Sequence, residues 1–155
     1  MATVVYFPQR RPLSGKTKTR TVPRSPLEEL AHLDDEAAVA AVKRGLPVRL
    51  IHLLSERLGL PVDTLAAPLQ LTLRTLQRRL QEGRLGQVES ERLHALVRLF
   101  FQAVEVLGAE AKAVHWLTSP ERALGGRTPL SCAETLPGLR QVENELWRIQ
   151  DVVYS

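Results

Sequence analysis

The longest apolar pattern in the chain lies between residues 87 and 107, and it has the spacing of a helix face. Apolar residues recur there every three or four positions, which predicts an α-helix over Gln87–Leu107. The stripe consists of Leu93, Leu96, Val97, Phe100, Val104 and Leu107. Phe101 and Val106 lie outside the stripe, so we expect burial on two sides of the helix. This helix is either the central spine of the domain or, through its second face, a dimer surface, and the spine interpretation is favoured.

Shorter patterns with the same spacing flank the long one. Order is predicted to begin near Asp34, because acids there suit the positive end of a helix dipole. Helices are predicted over Asp35–Arg44, from Pro47 onward, and over residues 109–118. The residues expected to face inward are Ala38, Val39 and Val42 in the first helix, and Leu50, Ile51, Leu54 and Leu58 in the second. The predicted fold class is therefore all-α.

The last third of the chain contains two sharp corners. Ser119 precedes Pro120, and Thr128 precedes Pro129, so each pair places a capping hydroxyl before a proline at the first helical position. Two short helices are predicted to begin at these pairs. Between them, the Gly125-Gly126 pair can adopt backbone angles closed to other residues and lets a partner approach the main chain.

A third helix start follows at Thr135. From there an amphipathic helix is predicted to run almost to the last residue. Its apolar face consists of Leu139, Val142, Leu146, Ile149 and Val153.

Residues 60–83 have the arrangement of a helix-turn-helix, with a short helix, a turn of three or four residues and a second helix. Thr72 is expected to cap the second helix. The residues expected to face the core are Leu73, Leu76 and Leu80. The candidate DNA-binding residues are then Thr72, Arg74, Thr75, Arg78 and Arg79. Arginine on a recognition helix can bond guanine edges or phosphates, and residues 72–84 carry a net charge of +3.

Two residues argue against a standard DNA-reading unit. Gln70 occupies the turn position where glycine is usual, and Pro68 removes a hydrogen bond late in the first helix. The alternative is a helix-turn-helix kept as scaffold, with solvated arginines. DNA contact is the favoured interpretation.

The positive charge of the chain is concentrated in one segment. The 155 residues have a pI near 9.7, but residues 1–26 hold six basic residues and no acid, while the remaining 129 residues carry a net charge of −2. Residues 8–26 have too few large apolar side chains to form a core, so residues 1–26 are predicted to be a disordered basic arm. This arm either touches DNA phosphate or is only a solubilising tail.

The sequence offers no catalytic constellation and implies no cofactor. The four histidines are scattered without a second ligand at zinc-binding spacing, and Cys132 lacks the motif of a nucleophile. No glycine-rich phosphate loop occurs. The single cysteine, and the absence of a signal peptide or of a run of about 18 apolar residues, favour a cytoplasmic protein without membrane contact. We therefore expect no enzyme and no metal.

An ordered series of residues near the end of the chain carries a resemblance to a known family: Trp116, Leu117, Pro120, residues 123–130, Thr135, Gly138, Val142, Leu146, Arg148, Ile149 and residues 153–155. At these residues, and over about residues 43–155 as a whole, the chain resembles the Xre/MbcA/ParS family of antitoxins. The resemblance implies a non-enzymatic antitoxin that inhibits a RES-domain toxin consuming NAD, by covering its active site. It also implies repression of its own operon through binding of operator DNA, and a homodimer is expected.

The same resemblance divides the chain and selects its partner surface. It implies a helix-turn-helix domain over residues 27–107 and a toxin-binding domain over residues 108–155. The implied toxin-binding residues are Gly125, Gly126, Arg127, Thr128, Pro129, Arg148, Val153, Tyr154 and Ser155. Where the family usually has glycine, this chain has Val152, which predicts that the last helix continues.

Two other functions fit the same residues. A plain transcriptional regulator without a toxin would need the helix-turn-helix alone. An interaction adaptor with a vestigial helix-turn-helix would bind DNA at most without sequence preference.

Overall fold

The part of the chain that the computed structural model describes, residues 23–155, is mostly helical, and the predicted all-α fold is confirmed. The α-helices are α1 (Pro26–Ala31), α2 (Asp35–Arg44), α3 (Arg49–Leu58), α4 (Leu73–Glu82), α5 (Gln87–Leu107), α6 (Glu110–Thr118), α7 (Pro129–Cys132) and α8 (Leu136–Tyr154). Two 3₁₀ turns, Val62–Leu65 and Arg122–Leu124, precede α4 and α7. Residues 23–155 contain no strand, only two isolated bridge pairs.

The long helix α5 is the spine of the molecule. It packs against α1 and α2 on the N-terminal side and against α6 and α8 on the C-terminal side. Leu93, Val97 and Phe100 are almost completely buried by these neighbours. Because helices of the same chain cover its apolar faces, the spine interpretation is confirmed.

The first helix of the described residues precedes Asp34, where order was predicted to begin, and the apolar pattern did not predict it. Ser25 and Glu28 form a capping box at the start of α1, in which the Ser25 Oγ accepts from the Glu28 N–H at 3.3 Å. Leu27 and Leu30 are buried against the core. Six residues are too few for a periodic signal, which explains the miss. Most of the predicted basic arm, residues 1–22, lies outside the described residues.

The helices α2 and α3 lie close to their predicted positions, with one wrong assignment. Val39 was expected to face inward, yet 53% of its surface is exposed. The buried residues of α2 are Ala38 and Val42, α2 packs against α5, and Val39 lies outside the buried face. In α3 the predicted inward face is buried as expected.

The first of the two predicted proline corners does not begin a helix. Ser119 instead ends α6, and Glu121 is extended because its backbone pairs with that of Arg127, with an N–H to carbonyl distance of 3.0 Å. This pairing closes a loop around the second 3₁₀ turn and excludes a helix at Pro120. The corner at Thr128 behaves as predicted, because its hydroxyl caps α7.

The final helix α8 packs against the core from Leu139 to Ile149, and its end extends beyond the core. Leu139, Val142 and Leu146 are buried, whereas Val153, predicted to lie on the same buried face, is 62% exposed. The half-buried Ile149 is the last residue of this face that packs against the core, and Val153 lies one turn beyond it. The helix continues through Val152 to Tyr154, as the valine predicted.

Candidate nucleic-acid and partner interfaces

The predicted helix-turn-helix is present, with a shortened first helix. Residues 62–65 form a 3₁₀ turn followed by further turns, in place of an α-helix. Pro68 lacks an N–H and cannot extend a helical hydrogen-bond ladder, which accounts for the shortening. Leu65, Leu69 and Leu76 are each at most 1% exposed, so the two segments share a packed interface.

Gln70 forms the turn in the conformation normally left to glycine. Its φ is 56°, and it is the one non-glycine residue with positive φ among residues 23–155. The Leu71 N–H donates to the Ala66 carbonyl at 2.8 Å, and the Gln70 N–H donates to the Ala67 carbonyl at 2.9 Å. These two bonds form a Schellman motif, which ends the first segment and directs the chain into α4.

The N-terminal turn of α4 is fixed by its threonines. The Thr72 hydroxyl accepts from the Thr75 N–H at 3.1 Å and donates to the Thr75 hydroxyl at 3.0 Å. Thr72 is thus the predicted cap. Leu73 was expected in the core, but it is 55% exposed. It is the first residue of α4 and lies one turn before Leu76, which is fully buried in the core.

The three arginines of α4 differ in what they touch. Arg74 is exposed, and Arg78 makes only an exposed ion pair with Glu82 at 3.6 Å. Arg79 instead bonds Glu89 on α5 at 2.8 Å and Glu82 at 2.9 Å. Hydrogen bonds to Glu89 and Glu82 raise the pKa of the Arg79 guanidinium above its usual value. Arg79 therefore ties α4 to α5, and the exposed guanidinium groups are those of Arg74 and Arg78.

A groove of about 380 Å³ lies between the Gly125-Gly126 corner and α8. We call it the arginine groove, and the residues that define it are Gly125, Arg127, Gln141, Asn144, Glu145 and Arg148. Arg127 donates to Gln141 Oε1 at 3.4 Å, and Arg148 pairs with Glu145 at 3.0 Å. Three of the predicted toxin-binding residues, Gly125, Arg127 and Arg148, are brought together here.

The remaining corner residues serve the shape of the groove. Gly125 and Gly126 have φ values of 69° and 79°, and a side-chain carbon at either position would meet no atom within 4 Å. Glycine is therefore favoured there by the backbone conformation and not by crowding. The Thr128 hydroxyl caps α7 by accepting from the Ser131 N–H at 3.1 Å, and Pro129 is buried. These two residues hold the corner in place.

The end of α8 is an exposed apolar tail. We use this name for residues 152–155, in which Val152 is 77% exposed and Tyr154 is 71% exposed. Val152 follows Arg148 by one helical turn, so the tail continues the side of α8 that lines the arginine groove. The predicted residues Val153, Tyr154 and Ser155 thus lie beyond the groove and not inside it.

Three lining residues of the groove were missed from the sequence. Gln141, Asn144 and Glu145 precede Arg148 by seven, four and three positions, which places all four on one helix face. Helical spacing counted backward from Arg148 would have found them.

The described residues offer no metal site and no catalytic pair. No group of three or more potential metal ligands occurs within residues 23–155, and Cys132 is buried. His94 is half-buried, its Nε2 has no hydrogen-bond partner, and burial lowers its pKa. No helix in this part of the chain is long and apolar enough to cross a membrane.

Known protein families match the chain over two separate ranges. Residues 37–98 match the Antitoxin Xre-like helix-turn-helix domain, and residues 102–151 match the Antitoxin Xre/MbcA/ParS C-terminal toxin-binding domain. A protein of Yersinia enterocolitica serotype O:8 / biotype 1B, named Antitoxin Xre, is 31% identical over 76% of this chain and 80% of its own length. An Antitoxin Xre of Photorhabdus laumondii subsp. laumondii is 29% identical over 75% of this chain and 80% of its own length.

Proposed function

Because this chain belongs to the Xre/MbcA/ParS family of antitoxins, we propose that it binds and neutralises a RES-domain toxin that consumes NAD. A toxin partner and DNA binding are supported by the two matched domains. The family consists of non-enzymatic regulators, and this chain is not an enzyme. The RES class of the toxin and its use of NAD rest on the resemblance of residues 116–155.

The observation that carries the proposal is the arginine groove beside the exposed apolar tail. The groove offers the guanidinium groups of Arg127 and Arg148, and the tail adds the largely exposed Tyr154. Arginine and tyrosine are the residue types that most often dominate protein interfaces, and a charged groove next to an apolar element suits a specific partner. We assign toxin binding to this surface, within residues 108–155.

Inhibition is steric in this account. The core holds α8 as far as Ile149, while Val152, Val153 and Tyr154 are all more than 60% exposed. An anchored helix with a free apolar end can enter a cleft without losing much conformational entropy on binding. The tail would cover the active site of the toxin and prevent entry of NAD.

DNA binding is assigned to α4, within residues 27–107. Arg74 and Arg78 are exposed and Thr75 is half-buried at the start and middle of α4, where a recognition helix meets base edges or phosphates. A single helix of ten residues reads few base pairs, so a homodimer on a two-fold operator is the arrangement we propose. The chain would then repress its own operon in the cytoplasm.

Co-expression with a RES-domain toxin tests the proposal. A chain that ends after Asp151 lacks the tail but keeps all buried residues of α8, whereas a cut after Ser119 would expose the core. The full chain should co-purify with the toxin and keep cellular NAD at the level of toxin-free cells. The shortened chain should fold and lose most of this protection.

An Arg74→Ala/Arg78→Ala chain is the matched control, since it should protect NAD as well as the unchanged chain. If the full chain neither binds the toxin nor preserves NAD, the toxin surface is wrong. In that case the exposed arginines of α4 favour the alternative, a regulator that acts on DNA alone.

A further inference from the structure

Four exposed basic residues lie in or beside two links that pack against each other, the link between α2 and α3 and the link between α4 and α5. We call this place the basic corner, and its members are Lys43, Arg44, Arg49 and Arg84. Arg84 Nη1 donates to the Gly45 carbonyl at 2.6 Å and to the Arg44 carbonyl at 3.3 Å. Contacts between the two links therefore bring residues 40 positions apart onto one surface.

Backbone hydrogen bonds hold the two links of the basic corner together. The Leu85 N–H donates to the Leu46 carbonyl at 2.9 Å, and the Val48 N–H donates to the Gly83 carbonyl at 3.1 Å. Gly45 has a φ of 83°, and a side chain there would collide with the Leu85 carbonyl. A preorganised cluster loses little entropy when it binds a ligand.

The charge of the corner has no compensation from nearby acids. In the described part of the chain no carboxylate pairs with any of its four members. Glu82 and Glu89 are the acids closest in sequence to Arg84, and Arg78 and Arg79 already pair with them. The corner thus concentrates positive charge in a body whose net charge is negative.

The chemistry of the corner fits a polyanion and not a protein surface. Its apolar residues Leu46, Val48 and Leu85 are at most 9% exposed, so it lacks the apolar centre of a protein interface. One of its members, Arg84, follows the end of α4 at Glu82 by two residues. A helix-turn-helix also contacts the phosphate backbone beside the groove that its recognition helix enters.

We propose that the basic corner is a phosphate-binding site that grips the DNA backbone next to the groove read by α4. This inference rests on the DNA binding proposed above. It adds a contact that carries no sequence information and strengthens binding to any duplex.

The salt dependence of binding to a mixed-sequence 30-base-pair duplex tests the site in the full chain. Each phosphate contact adds about 0.9 to the slope of log affinity against log salt. Arg44→Gln/Arg49→Gln should therefore lower the slope by roughly 2 and weaken binding by about tenfold or more at 0.1 M salt. Both side chains are exposed, so the fold should persist, which thermal unfolding can verify.

Arg122→Gln/Arg140→Gln is the matched control, because it removes two exposed arginines from the C-terminal part of the chain. Its slope should equal that of the unchanged chain. The site would be overturned if Arg44→Gln/Arg49→Gln had the same slope as the unchanged chain. It would also be overturned if the corner variant and the control lost the same amount of slope. If Arg74→Ala/Arg78→Ala abolishes binding while the corner variant does not alter it, DNA binding stands and only the corner fails. A chain that binds no duplex even at low salt contradicts both.

Discussion

Gln70 shows how much a single residue contributes at the turn before α4. Its side-chain amide donates to the Glu134 carbonyl at 2.8 Å, and its Oε1 accepts from Arg92 at 2.8 Å. The glutamine thus connects the turn to α5 and to the segment between α7 and α8. The sequence predicted the unusual position of Gln70, but its partners are 22 and 64 residues away and could not be seen without the fold.

Gln70→Ala and Gln70→Gly separate the side chain from the backbone. Both lose two hydrogen bonds, each worth about 1 kcal/mol, but glycine also removes a cost of about 1 kcal/mol for positive φ. The free energy of unfolding of Gln70→Gly should therefore lie within about 1 kcal/mol of that of the unchanged chain. The free energy of unfolding of Gln70→Ala should be about 1 kcal/mol lower than that of Gln70→Gly. Urea unfolding measures both, and an alanine variant as stable as the glycine variant would contradict this account.

The arginines of α4 illustrate what spacing alone cannot decide. Arg78 and Arg79 are neighbours in sequence, yet only Arg79 is close enough to bond Glu89 across the link to α5. Arg79→Ala should lower the free energy of unfolding measurably, because the partly buried Glu89 carboxylate loses its charged partner and is left with the hydrogen bond from the Gly86 N–H. Arg78→Ala should change it by less than about 0.5 kcal/mol. Similar losses in both variants, measured by urea unfolding, would contradict the assignment.

Helices were the elements that the sequence predicted best. The apolar stripes of α5 and α8 are long enough for their spacing to be unambiguous, and the caps at Thr72, Thr128 and Thr135 marked true helix starts. The errors, a missed α1 and a helix expected at Pro120, lie in short segments. There tertiary hydrogen bonds, such as the pairing of Glu121 with Arg127, decide the conformation.

The two halves of α8 should respond differently to mutation. Leu146 is completely buried, so Leu146→Ala should cost about 2–5 kcal/mol of stability by leaving a cavity. Val153→Asp in the tail should change stability by less than about 0.5 kcal/mol. The same substitution should nevertheless weaken toxin neutralisation, because it places a charge on the apolar tail. Neutralisation unchanged by Val153→Asp would argue against the tail as the inhibitory element.

The spine helix carries one group that should make stability depend on pH. Burial, and then the charge of Arg98, lower the pKa of His94 below its ordinary value of 6.5, while Asp35 acts in the opposite direction. The folded chain then binds fewer protons than the unfolded chain, so stability falls as the pH drops below about 6.5. His94→Leu should reduce the fall in Tm between pH 7.5 and pH 6.0, as measured by calorimetry. An unchanged fall in Tm would exclude His94 as its source.

At the scale of the whole molecule, one hydrophobic core joins the parts to which we assign DNA and toxin binding. Buried residues of every α-helix except α2 belong to a single cluster, with α5 at its centre, and the half-buried Ala41 of α2 packs against it. The arginine groove and α4 are thus held on one scaffold. The positive charge of residues 1–26 and of residues 72–84 can be counted from the sequence. The basic corner cannot, because it forms only where Arg84 contacts Arg44, 40 residues away.

The central claim is that this chain inhibits a RES-domain toxin by covering its NAD site. The most direct measurement is the rate of NAD consumption by the purified toxin as the purified chain is added. We expect the rate of NAD consumption to fall in proportion to the amount of chain added and to reach zero near a fixed ratio of chain to toxin. The chain that ends after Asp151 should leave most of the toxin activity. Undiminished NAD consumption in the presence of excess full-length chain would contradict the account.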